Sequence, residues 1–211
     1  MQALAVAAIP ILFAITLHEV AHGWMARHFG DPTAAALGRL SLNPIKHIDP
    51  VGTVVVPVLL ALIGGFLFGW AKPVPINFAR LNKPKRDMIA VALAGPGANL
   101  VMAVFWALVL KMLLIFGPDA STARDFFLRM AEIGIFFNVL LGIFNLVPIP
   151  PLDGGRVLRG LVSESIGTKL DRIEPFGLII IVGLLFFGFL WPIMAPAIAL
   201  GQKVVLAVVG L

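Results

Sequence analysis

Cysteine is absent from this chain. Disulfides and thiolate metal ligands are thereby excluded, and any bound ion must be held by His, Asp or Glu. Charge is scarce: 13% of the 211 residues are charged and 60% are hydrophobic, whereas soluble domains run to about 25% charged and about 45–50% apolar. Mean hydropathy is +1.01. The chain reads as an all-α polytopic membrane protein, with no room for an appended soluble domain of ordinary size. Also missing is a positive stretch in Met1-Gln2-Ala3-Leu4, so the first apolar segment is expected to be retained and not cleaved as a signal peptide. There is no internal repeat and no low-complexity linker. Net charge is +5, but no basic face on a folded domain is visible. The surplus belongs to membrane flanks, and a nucleic-acid partner is excluded.

Apolar segments organise what is present. The first covers about residues 3–29, long enough to span, since about 20 residues suffice. Residues 30–50 are mixed and polar, with Asp31-Pro32 and Asn43-Pro44 as turn signals. The second apolar stretch, 51–68, opens on a β-branched run and contains Pro57 and Gly64-Gly65. Residues 69–77 after it hold two prolines and cannot form a regular helix. Further spans are expected at 88–116 and 126–146. A Pro/Gly-rich break follows at 147–155, then a short amphipathic stretch at 156–163. The tail, 176–211, reads as two helices broken at Trp191-Pro192. About five to six transmembrane helices are expected in total.

Lysine and arginine positions bear on the path of the second stretch. Three (Arg27, Arg39, Lys46) precede it and five (Lys72, Arg80, Lys83, Lys85, Arg86) follow it. Three (Lys111, Arg124, Arg129) surround the next loop, and four (Arg156, Arg159, Lys169, Arg172) come after the fourth span. If the second stretch spans, the two sides carry six and nine. If it dips in and returns, they carry twelve and three, the asymmetry the positive-inside rule favours. A re-entrant path is therefore expected. Non-helical backbone at membrane depth requires burial in protein or a wet cavity beside it.

The chemistry is concentrated in His18-Glu19-Val20-Ala21-His22, within an otherwise apolar segment. Ionisable residues there cost roughly 2.5–3.5 kcal/mol each on insertion scales and mark function. Two histidines at i and i+4 lie on one helix face and can reach one ion. The Glu between them is placed to act on a metal-bound water. A catalytic zinc wants a third protein ligand. His28 and His47 sit past the helix or in the polar loop, and Glu132 lies near the outer end of its segment. Asp153 is favoured: it follows a span ending on the side of His22, where prolines stop the helix and glycines let the chain turn.

Together with Gly95-Pro96-Gly97-Ala98-Asn99 in a middle helix and the run from Asn145 through Pro148, Pro150, Pro151 and Asp153-Gly154-Gly155, this pattern resembles the site-2 protease family of intramembrane zinc metalloproteases, in its compact bacterial branch. The resemblance runs from the first segment through Arg156. It implies Zn2+ held by His18, His22 and Asp153, with Glu19 as the general base taking a proton from the zinc-bound water. It implies that Asn99 and Asn145 position substrate or polarise its carbonyl, and that residues 69–77 form a re-entrant β-hairpin offering an edge to an extended substrate. Gly95, Gly97 and Ala98 are expected to let helices approach and set Asn99 against the first segment. One membrane-embedded peptidase domain over 1–211 is implied, with a catalytic core at about 1–165 and C-terminal helices at about 173–211. Its partners would be the lipid bilayer and a transmembrane or membrane-embedded substrate, and its place the plasma membrane with the site toward the cytoplasm.

Taken singly, the motifs have plainer readings: a helix kink at Gly95-Pro96-Gly97, a cap at Asn145, a turn at Asp153-Gly154-Gly155. Two other functions compete. A metal-handling transporter would show repeated halves and ionisable residues spread along a path, whereas here they cluster. An inactive zinc-binding scaffold would have no need of Glu19.

Overall fold

The computed structural model describes residues 2–62, 69–117 and 122–211, and these are helical with irregular connections. Helix α1 (Gln2–His28) is followed by a one-turn α2 (Thr33–Ala36) and, after a polar loop, by α3 (Val56–Leu62). Then come α4 (Pro84–Phe116), α5 (Thr122–Asn145), α6 (Asp153–Leu161), α7 (Glu164–Ile173), α8 (Gly177–Phe186) and α9 (Trp191–Val208).

Four helices are long and apolar enough to cross a membrane among the described residues: α1 from Ala5, α4, α5 and α9. That is fewer than the five to six expected, and the shortfall has two sources. In the second apolar stretch, a π-helical turn (Pro50–Val55) runs into α3, which has 7 residues, and residues 63–68 lie outside the described residues. In the tail, α8 has 10 residues, about 15 Å at 1.5 Å per residue, half a hydrocarbon core of about 30 Å. The tail is indeed two helices. The break falls at residues 187–190, just before Trp191-Pro192, where proline sits in the first turn of α9 and its missing N–H costs nothing.

Helix α4 is the spine. Pro84 opens it, and the Asp87 carboxylate accepts the Lys83 N–H at 2.6 Å, placing negative charge where the helix dipole favours it. At 33 residues it spans about 50 Å. It runs antiparallel to α1: Val91 meets His22 and Asn99 meets Ala14. It also runs antiparallel to α5, where Trp106 abuts Gly134 and Asn99 bonds Asn138. The C-terminal end of α1, the N-terminal end of α4 and the C-terminal end of α5 therefore share one end of the bundle, and residues 29–83 leave and return there. A core of small and apolar residues, including Ala103, Trp106, Ala131, Ile135 and Met194, seals the interior of α4, α5 and α9. The outward faces carry Phe105, Met112, Ile115, Phe116, Ile179 and Phe186, all exposed. Such a continuous apolar exterior is that of a multi-pass membrane protein.

Residues 69–77 contain no strand, so the expected β-hairpin is absent from the described part of this piece. Its amides are spent elsewhere: Trp70 N–H on the Gly52 carbonyl, Lys72 N–H on the His47 carbonyl, Val74 N–H on Glu19 Oε2 and Asn77 N–H on Asp31 Oδ2. Pro73 and Pro75 have no amide to offer. With these four amides committed to acceptors outside it, the piece forms an irregular strap laid over the end of α1.

Asp31 anchors that strap. It is fully buried. It accepts the Asn77 N–H at 2.7 Å, the Thr33 N–H at 3.1 Å and the Thr33 hydroxyl. Burial by itself would raise its pKa; the bonds from Thr33 and Asn77, with the Arg80 charge, outweigh burial and hold the carboxyl below its ordinary value. A carboxylate with a depressed folded pKa contributes stability in full above its unfolded value and loses it as pH falls through the lower folded value. Asp31→Ala is therefore expected to destabilise the fold by about 1–3 kcal/mol at neutral pH, with the gap to wild type closing below about pH 4. Unfolding midpoints in detergent from pH 7 downward check this; a gap that does not change with pH would sink it.

Candidate active site

Helix periodicity brings His18 and His22 to one face of α1, and both are buried. Each imidazole is fixed from behind. His22 Nδ1 lies 2.8 Å from the Val91 carbonyl and His18 Nδ1 lies 2.6 Å from Asn99 Oδ1. A carbonyl can only accept, so His22 carries a proton on Nδ1, and as a neutral imidazole it presents Nε2 as a lone pair. The two Nε2 atoms stand 3.0 Å apart. Each is 3.2 Å from Asp153 Oδ2.

Asp153 arrives because of the break before it. The prolines between 148 and 151 end α5, and α6 begins at Asp153 itself. Its first turn folds back so tightly that a Cβ on Gly154 would lie 2.2 Å from the Leu146 carbonyl oxygen. Only glycine permits this approach. Room for the imidazoles comes from α4, where a Cβ on Gly95 would lie 2.3 Å from His22 Nε2. Gly97, two residues on and about 200° around the helix, has nothing within reach. Of the two glycines expected to allow close approach, only Gly95 does so.

His18, His22 and Asp153 form a group that could hold a metal ion among the described residues. The triangle of 3.0–3.2 Å edges suits ligand atoms each about 2 Å from a shared zinc. The chemistry of the donors agrees. Asp153 Oδ2 is buried without a hydrogen-bond partner. An unpartnered carboxylate oxygen facing two imidazole nitrogens is a poor arrangement until a cation sits among them.

The site opens on a cavity of about 190 Å3, walled by Glu19, Asn145, Val74 and Phe78 besides the three converging residues. Glu19 is half-buried on the next face of α1, and its Oε2 accepts the Val74 amide at 2.7 Å. Asn145 lines the cavity and donates Nδ2–H to the Leu141 carbonyl. Asn99 is fully buried behind His18, away from the cavity. The remaining sequence candidates sit elsewhere: His28 is exposed and stacks on Trp24, His47 is buried against the Ser41 carbonyl, and Glu132 is exposed. Arg156 pairs with Glu174, and Arg159 with Asp171 and Glu164, tying α6 to α7 and the turn after it.

Three contributors escaped the sequence reading. The Val74 amide and the Val91 carbonyl are backbone groups with no residue signature. Asn138, fully buried and bonded to Asn99, left one faint signal: it lies seven residues before Asn145, two turns away on the same face of α5.

The model of Peptidase family M50 matches residues 6–126 and 111–188. YwhC of Bacillus subtilis is 38% identical over 194 residues, covering 88% of this chain and 84% of that protein. Rip2 of Mycolicibacterium smegmatis is 34% identical, over 82% of this chain and 64% of that one. MJ0392 of Methanocaldococcus jannaschii is 25% identical, over 88% and 43%. All three names contain the words zinc metalloprotease. No solved structure matches. With a buried His-His-Asp triangle beside a glutamate at its centre, and a family match across most of its length, the chain belongs to peptidase family M50, the site-2 protease family, and is a metalloprotease.

Proposed function

We propose that the chain is an intramembrane zinc endopeptidase that cuts substrates in or near their transmembrane segments, with His18, His22 and Asp153 as zinc ligands and Glu19 as general base. The observation that carries this reading is the unpartnered Asp153 Oδ2 facing two imidazole Nε2 atoms, with a carboxylate on the next face of the same helix. A transporter has no use for that carboxylate, and an inert structural site needs no cavity.

Zinc held there would lower the pKa of a coordinated water and polarise the scissile carbonyl. The chain supplies the rest. Val74 N–H engages Oε2 of Glu19 and leaves Oε1 to take the proton of the attacking water and return it to the departing amine. A transmembrane helix resists cleavage because its backbone is self-bonded, so it must unwind locally. The Asn145 amide and the carbonyls of the strap residues Val74 and Ile76, which border the cavity, offer replacement hydrogen bonds to the freed backbone.

The site lies at the bundle end where residues 29–83 and 146–172 gather. With Lys203 in α9 set aside, twelve of the 16 Lys and Arg side chains flank that end against three at the other, an asymmetry that under the positive-inside rule supports a cytoplasm-facing site; the membrane is taken to be the plasma membrane. That residues 29–83 start and finish at the same end supports a re-entrant path for this part of the chain.

The test is zinc content paired with cleavage of a model transmembrane substrate by detergent-purified protein. Wild type is expected to hold about one zinc and cleave. Asp153→Ala is expected to weaken zinc binding by at least about 100-fold, the upper end of what losing a group hydrogen-bonded behind a ligand costs. Unchanged zinc in Asp153→Ala would remove Asp153 from the ligand set, and no zinc in wild type would remove the site assignment altogether.

A further inference from the structure

Asn138 sits midway along α5, fully buried, outside the cavity and in contact with none of the three converging atoms. A buried amide is costly unless each polar group is bonded, and its bonds run in one direction. Its Nδ2–H donates to the Gly134 carbonyl at 2.8 Å. That turns Oδ1 toward Asn99, whose Nδ2–H it accepts at 3.0 Å. The other Nδ2–H of Asn99 goes to the Ala14 carbonyl at 3.2 Å. With both N–H groups engaged, Asn99 presents only Oδ1 to His18 Nδ1 at 2.6 Å. His18 must then donate from Nδ1 and keep Nε2 as a lone pair.

We propose that Asn138 is a positioning residue of the metal site: acting through Asn99, it fixes His18 in the tautomer whose Nε2 faces the ion. The polarity of the relay is set at its far end by a backbone carbonyl, which can only accept. Removing Asn138 leaves the Ala14 carbonyl as the single restraint on the Asn99 amide. A flipped Asn99 would offer Nδ2–H to His18, whose proton would move to Nε2, and the lone pair would point away from the ion. The inference rests on His18 being a zinc ligand.

The test compares wild type, Asn138→Leu and Asn138→Asp. Leucine has similar bulk and no acceptor. Aspartic acid in its neutral form keeps both bonds, donating to Gly134 and accepting from Asn99. Two quantities are read: zinc affinity by competition with a chelator, and the His18 tautomer in metal-free protein from imidazole nitrogen NMR shifts. Asn138→Leu is expected to weaken zinc binding by about tenfold, the low end for groups behind a ligand, and to mix the His18 tautomers. Asn138→Asp is expected to stay closer to wild type on both. A purely structural Asn138 would lower the unfolding midpoint in Asn138→Leu while leaving affinity and tautomer unchanged, and that result would overturn the inference. If Asn138→Leu does not fold, Asn138→Ala is read against Asn138→Asp in the same way. Wild type that binds no zinc would instead overturn the site assignment.

Discussion

Glu19→Gln is expected to lower peptide hydrolysis by about 10²–10⁴-fold, the range for losing a general base, with zinc content unchanged. The two halves separate because Glu19 stands apart from the His18–His22–Asp153 triangle. Among the described residues its carboxylate is bonded to the Val74 amide. Glutamine keeps an oxygen that can accept from that amide, so the strap stays in place and only proton acceptance is lost. The assay is turnover of a model transmembrane substrate by both proteins, with metal analysis of the same preparations. Activity within tenfold of wild type would defeat the assignment of Glu19 as base. A parallel loss of zinc would mean that the substitution had disturbed the triangle and was reporting on something other than proton transfer.

Gly95→Ala should be nearly as damaging by a different route. Its Cβ would lie 2.3 Å from His22 Nε2 and 2.7 Å from His18 Cε1, far inside van der Waals contact. Neither ring can retreat freely, since His22 is tied to the Val91 carbonyl and His18 to Asn99. The triangle must open or the helices must part. Zinc affinity is expected to fall by about 100-fold or more, on the scale of disturbing the groups that orient ligands. Helix propensity pulls the other way, as alanine in a helix interior is favoured over glycine by about 1 kcal/mol. Loss of zinc would therefore not be explained by a weaker α4. Gly97→Ala is the control on the same helix: its Cβ meets nothing within 4 Å, so it gains the same propensity and should leave zinc binding as it was. Equal behaviour of the two variants would rule out the packing argument.

Some of the site could be read directly because its information is local. The spacing of His18 and His22 needs only the 3.6-residue period, and Glu19 follows from being on the next face. The spans needed only the length and apolar character of their segments, which is why α1, α4 and α5 lie close to where the hydropathy placed them. The break before Asp153 is written in its prolines and glycines. The helix count was less legible: the residues of α8 are as apolar as a span, but the helix has 10 residues and is set off from α9 by a break, and hydropathy over a window does not see the break.

What the chain alone determined is thus which candidate side chains it offers to the site and in what order they come. Tertiary structure alone decided how they are oriented. The hydrogen bonds that fix the imidazoles join residues 69 and 81 positions apart, and the one that engages Glu19 joins residues 55 apart. Two of the three end on a backbone carbonyl or amide. Every residue but proline carries the same backbone groups, so no letter in the sequence marks Val74 or Val91 as special. The strap could not be foreseen for the same reason. Whether residues 69–77 pair as a hairpin or lie as an irregular strap depends on where their amides find acceptors, and those acceptors, Glu19 and Asp31 among them, come within reach only after the chain has returned to the end of α1.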